Sequence, residues 1–176
     1  MRTLAETISW RCTLDHAALA REKAKLPTTT LYLEDFAVGQ KYGSGKIRVE
    51  AAAIKEFAAA YDPQPFHLDE EAAAQSFFQG LAASGWHTAA LTMRLLVDGD
   101  LRPAGGIIGA WADELKWPRA VRPGDELQAE AEVLAVRPSG SRPGQGFVKF
   151  RVTTQNQRGE AVQIAVMNLL VPARPA

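Results

Sequence analysis

"ELQAEAEVLAV", residues 126–136, alternates without a break over its first eight positions. Glu126, Gln128, Glu130 and Glu132 stand against Leu127, Ala129, Ala131 and Val133. A period of two puts polar side chains on one face of a strand and apolar ones on the other. Two further strand-like runs follow, "FVKFRVTT" (147–154) and "AVQIAVMNLLV" (161–171). The intervening "RPSGSRPGQG" (137–146) and "NQRGE" (156–160) have the glycine, proline and asparagine content of hairpin turns. Upstream, "GGIIGAWADELKW" (105–117) reads as another strand and "VRPGDEL" (121–127) as its turn.

The first half of the chain has a helical period instead. In "AAAIKEFAAAY" (51–61), Ile54, Phe57, Ala58 and Tyr61 form an i, i+3, i+4, i+7 stripe. Pro63 ends that helix, because the residue before a proline disfavours the helical region. Asp69 is placed to cap a second short helix, with Glu70 and Glu71 in its first turn. Ser84 is placed to cap a longer one, "GWHTAALTMRLLV" (85–97), whose apolar residues lie all round. A helix of that kind is expected to be buried. Nearer the start, a turn at Val38-Gly39 leads into a short strand, Lys46 to Val49. The expected class is α+β: an antiparallel sheet of about five or more strands wrapped around one apolar helix.

A chain of 176 residues has the length of one domain and can bury a core without staples. We expect that domain over 31–176, with 1–30 as an extension. "TLDHAALAREKAKLP" (13–27) within the extension reads as a short helix between a Thr13 cap and a Pro27 stop. Twenty basic residues balance twenty acidic ones, which gives no general pull towards nucleic acid or anionic lipid. Cys12 is the single cysteine, so there is neither an intrachain disulfide nor a paired-cysteine metal site. With no membrane-length apolar run and no secretion-signal pattern, the expectation is a soluble cytoplasmic protein.

Chemistry concentrates in the elbow between the first two helices. Asp62 and His67 sit five residues apart around Pro63 and Pro65. Prolines stiffen such a loop. An imidazole can both take and give a proton near neutrality, so rigid presentation beside a carboxylate suits general acid/base work. Asp62 could equally close the turn, as Asp-Pro often does, and His67 could be a structural histidine; the spacing leaves both open. His16 lies in the extension, and His87 falls in the first turn of the apolar helix as a core or pocket-lining residue. Asp62, His67, Asp69 and His87 have metal-ligand chemistry, but no pair shows a ligand spacing, so no metal site is read. Gly85 opens the long helix. Its N–H is one of the donors left unpaired at a helix N-terminus and could polarise a carbonyl, or the glycine could serve close packing.

Taken together, "FAAAYDPQPFHLDEEAAAQSFFQGLAASGWH" (57–87) resembles the signature of the MaoC-like dehydratases, the (R)-specific enoyl-CoA hydratase group of the hot-dog superfamily. Asp62, Pro65, His67, Asp69, Phe78 and Gly85 fall in register with that pattern, and "ELKWPRAVRPGDELQAEAEV" (114–133) resembles its strand–turn–strand. The resemblance spans about residues 31–172. It implies a curled antiparallel sheet around a central helix, a homodimer, and thioester substrates on coenzyme A or acyl carrier protein. Asp62 and His67 would activate water and Gly85 would hold the thioester oxygen. Gln64, Pro65, Phe66, Ser84, Trp86 and His87 would line the substrate pocket. No cofactor is implied. Gln64 replaces the family's asparagine and Ser84 its histidine. The expected activity is hydration of 2-enoyl thioesters or dehydration of 3-hydroxyacyl thioesters. A hot-dog thioesterase and a non-catalytic acyl-CoA-binding subunit are the alternatives.

Overall fold

The computed structural model describes residues 29–175. The helix expected between Thr13 and Pro27, with Cys12 and His16, lies outside the described residues. A 3-10 turn, Leu33–Asp35, precedes β1 (Lys41–Arg48), α1 (Ala51–Tyr61), α2 (Pro65–Leu68), α3 (Glu70–Ala74) and α4 (Gly85–Asp98). Then come β2 (Ile108–Lys116), β3 (Glu126–Pro138), β4 (Gln145–Gln155) and β5 (Ala161–Pro172). The five strands form one sheet in the order β1-β3-β4-β5-β2, antiparallel at every pairing. The α+β layout expected from the change of period is therefore present.

Alternation in β3 translates directly into burial. Leu127, Ala129, Ala131 and Val133 are at most 1% exposed. β1 is longer than the Lys46–Val49 strand read from the sequence. Gly43 and Gly45 disguise its first half, and they sit at a register shift between Gly43 and Lys46 where β1 bulges against β3. At the β2–β3 turn, Gly124 takes φ 85°, a conformation that glycine adopts without a Cβ clash. Asp125 is buried there and accepts the Arg122 N–H at 2.8 Å.

α4 lies across the sheet, against β1, β3 and β5. Leu95 and Leu96 enter the core. The buried Thr92 and Thr154 hydroxyls meet at 2.7 Å and tie the helix to β4. Full burial of α4 is corrected: Trp86, Met93 and Val97 are 61%, 39% and 52% exposed. The sheet curls around one side of the helix only, so apolar residues on the other side face outward. β2 is an edge strand, and its Ile108 and Trp111 are also exposed. No described helix is long and apolar enough to cross a membrane.

Candidate active site

α1 packs Ile54 and Ala58 inward and leaves Tyr61 exposed. At its end Asp62 leaves the helical region (φ −151°, ψ 68°), while its N–H still bonds the Ala58 carbonyl at 2.9 Å. Pro63 enforces that break. The elbow is not wholly a loop, as read from the sequence. Pro65 starts the one-turn helix α2, where a proline fits because its missing N–H would have had no partner. Asp69 then caps α3, its Oδ1 accepting from Ala72 N at 2.8 Å.

This one-turn helix turns His67 inward to 4% exposure. Its Nδ1 lies 2.7 Å from the Ala82 carbonyl oxygen. A carbonyl only accepts, so Nδ1 carries the proton and Nε2 of the neutral ring presents a lone pair. Nε2 faces Asp62 Oδ2 at 3.5 Å. Two acceptors face each other across a gap longer than a hydrogen bond, an arrangement suited to a shared donor such as water. The Asp62 side chain is 24% exposed, so the pair opens to solvent from that side.

Three residues beyond Ala82, Gly85 begins α4. Ser84 is 1% exposed and its Oγ accepts from Trp86 N at 3.1 Å, a capping contact. A Cβ on Gly85 would stand 2.8 Å from Cδ2 and Cε2 of Trp117. Glycine is therefore required by the indole lying against it. Trp117 is held in turn by its Nε1–H, which donates to Gln163 Oε1 at 2.9 Å. Neither Trp117 nor the Ala82 carbonyl is identifiable as a site component from the sequence, because both act through tertiary packing.

The other expected residues divide into two groups. Phe66 meets His67 edge-on with ring centroids 4.6 Å apart, and Phe78 packs on Phe66 at 5.1 Å. His87 stacks on Phe57 at 4.7 Å and 8°, with Nδ1 unpartnered, and burial lowers its pKa to about 4. It is a neutral ring in the wall beneath α1. Trp86 meets Trp117 edge-on at 5.4 Å and is largely exposed. Gln64 and Pro65 are also exposed. Arg122 secures the segment before α4: its guanidinium donates to the carbonyls of Phe78, Gly80 and Leu81. That clamp holds Gln79, whose φ of 53° is unusual for a residue with a side chain.

The MaoC like domain model matches residues 35–156, which contain the elbow, α4 and the first four strands. The chain belongs to the MaoC-like domain family. A relative of this MaoC-like chain, the uncharacterized protein YdeM of Bacillus subtilis, is 30% identical over 139 residues, covering 79% of the chain and 97% of the relative. Among solved structures, the MaoC-like dehydratase from Rhodospirillum rubrum is 60% identical with a TM-score of 0.80, over 83% of this chain and 99% of that one. The (R)-hydratase PhaJ1 from Pseudomonas aeruginosa is 27% identical with a TM-score of 0.64, over 82% and 88% of the two chains. The curled five-stranded sheet with its helix is the hot-dog fold of these proteins.

Proposed function

We propose that this MaoC-like protein is a cytoplasmic hydratase/dehydratase of 2-enoyl and 3-hydroxyacyl thioesters, with Asp62 and His67 as its proton-handling pair and residues 31–176 as its single domain. The observation that carries the reading is the 3.5 Å approach of His67 Nε2 to Asp62 Oδ2, with Nδ1 anchored on Ala82. The likeness to a MaoC-like dehydratase and to an (R)-hydratase supports the same reaction class.

In this mechanism the Gly85 N–H and the positive end of α4 polarise the thioester carbonyl. Conjugation makes the β-carbon electrophilic. A water held between Nε2 and Oδ2 gives one proton to the pair as its oxygen bonds to the β-carbon. The electron pair of the double bond moves into an enolate, which the helix terminus stabilises. The proton taken from water then returns to the α-carbon, so water adds across the double bond with nothing left over. Dehydration is the reverse path.

Exposed apolar residues on α4 and on edge strand β2 support a homodimer, because unpaired edges and apolar helix faces are normally covered. The deciding assay follows loss of enoyl absorbance with crotonyl-CoA beside release of free thiol. Loss of absorbance without thiol establishes the hydratase. Thiol release establishes a thioesterase, and neither signal leaves a binding subunit.

A further inference from the structure

Two residues into α4, His87 is 6% exposed, yet its Nδ1 meets no hydrogen-bond partner among the described residues. Buried side-chain nitrogens are nearly always paired, because losing water without a replacement partner costs stability. The contrast with His67 is direct. That ring is anchored on the Ala82 carbonyl at 2.7 Å, whereas the His87 ring is held by stacking on Phe57. Arg102 Nε is the other buried unpaired side-chain atom among the described residues, and it lies beyond the opposite end of α4 from the elbow.

Packing sets His87 beside the reacting groups. α1 delivers Asp62 and α4 delivers Gly85, and the His87 ring fills the space between these two helices. Its partner Phe57 also packs on Tyr61, the residue before Asp62, at 5.0 Å. Helical rise puts His87 only about 3 Å further along the axis than Gly85. An acyl tail that leaves the β-carbon between α1 and α4 therefore runs along the Phe57–His87 wall.

The chemistry of the ring narrows what that tail carries. Burial lowers the His87 pKa to about 4, so the ring is neutral, with one N–H and one lone pair. Whichever nitrogen holds the proton, Nδ1 is left with an unmet donor or acceptor. A hydroxyl both gives and takes a hydrogen bond and answers either tautomer. A carboxylate would bring charge into surroundings that already exclude it from the imidazole. A plain hydrocarbon tail leaves Nδ1 unmet.

We propose that His87 is a specificity-determining residue whose Nδ1 hydrogen-bonds a hydroxyl on the acyl chain beyond the β-carbon, so that the preferred substrates are short hydroxylated enoyl thioesters. The inference rests on the hydratase reading above and names its substrate class. Crotonyl-CoA lacks that hydroxyl and is expected to turn over more slowly.

The test compares 4-hydroxybut-2-enoyl-CoA and 5-hydroxypent-2-enoyl-CoA, each beside the chain in which a methyl group replaces the hydroxyl. Loss of enoyl absorbance gives kcat/KM, and calorimetry gives the affinity of the corresponding saturated thioesters, which cannot react. Parent protein should favour one hydroxylated chain over its methyl counterpart at least about tenfold in both measurements. His87→Phe keeps the ring against Phe57 and should bring that ratio to about one. His87→Asn places an amide near the position of Nδ1 and should restore most of the preference, which a purely structural role for His87 would not. A parental ratio near one for both pairs, a preference that survives in His87→Phe, or no binding of any saturated thioester overturns the inference. Failure of every enoyl chain to lose absorbance overturns the hydratase reading instead, and the affinities of the saturated pairs still decide the role of His87.

Discussion

His67 Nε2 stands 3.5 Å from Asp62 Oδ2, while the opposite ring nitrogen is fixed 2.7 Å from the Ala82 carbonyl. The backbone thus sets the tautomer, and the carboxylate faces the free lone pair. Asp62→Asn keeps the shape and removes the charge. It should lower hydration by about 10²-fold or more, with the thermal midpoint held. His67→Gln should lose activity to a similar extent. A near-parental kcat in either variant, in the crotonyl-CoA assay, would remove the pair from the reaction.

Gly85 and Trp117 form a second coupled pair. A methyl group on residue 85 would overlap the indole at 2.8 Å, so Gly85→Ala should destabilise the fold by about 1–3 kcal/mol. Activity should fall too, since the donor at the start of α4 moves. Trp117→Leu in the Gly85→Ala background should recover part of the stability, as read by urea midpoints. Additive losses would show that the two positions are uncoupled.

His87 provides a pH signature. Burial holds its pKa at about 4, below the 6.5 of a free histidine. In the unfolded chain it gains a proton as pH falls past 6.5, whereas the folded chain resists until about 4. Between those values the unfolded state binds more protons, so folding stability must drop as pH is lowered. The full effect is at most about 3 kcal/mol. His87→Phe keeps a ring against Phe57 and should flatten the stability profile across that window. An unchanged slope in denaturant titrations at pH 7, 5.5 and 4.5 would contradict it.

The outward face of α4 and the edge strand β2 predict an association behaviour. Val97 is 52% exposed and Ile108 43%, both remote in sequence from the elbow. If the homodimer proposed above forms through this face, Val97→Glu with Ile108→Glu should convert it to monomers in sedimentation velocity. An unaltered sedimentation coefficient would place the interface elsewhere.

Much of this architecture is legible in the residues because local physics decides it. Glu126 to Val133 has one possible face inward, Pro63 must end α1, and Asp69 and Ser84 cap the helices expected of them. The Asp62 and His67 pair was visible because prolines confine it to one turn. What the sequence hides depends on contacts between distant segments. Two glycines mask the first half of β1, whose bulge is defined only by its partner β3. Apolar residues all round α4 say that it wants cover, but not that the sheet covers only one side. Trp117 lies 32 positions from Gly85 in the chain, and nothing local announces that an indole will press on that glycine. Arg122 looks like an ordinary turn residue until its three carbonyl acceptors are seen.

The strand order has a kinetic corollary. β3, β4 and β5 are joined by short hairpins and can zip together as neighbours, whereas β1 must find β3 across a long loop, as Lys41 and Glu130 do across 89 positions. Closing such a loop is slow and entropically unfavourable. Assembly should therefore run from the middle of the sheet outward, with β1 as the last clasp to shut and, by pulse-labelled amide exchange, the first to spring open.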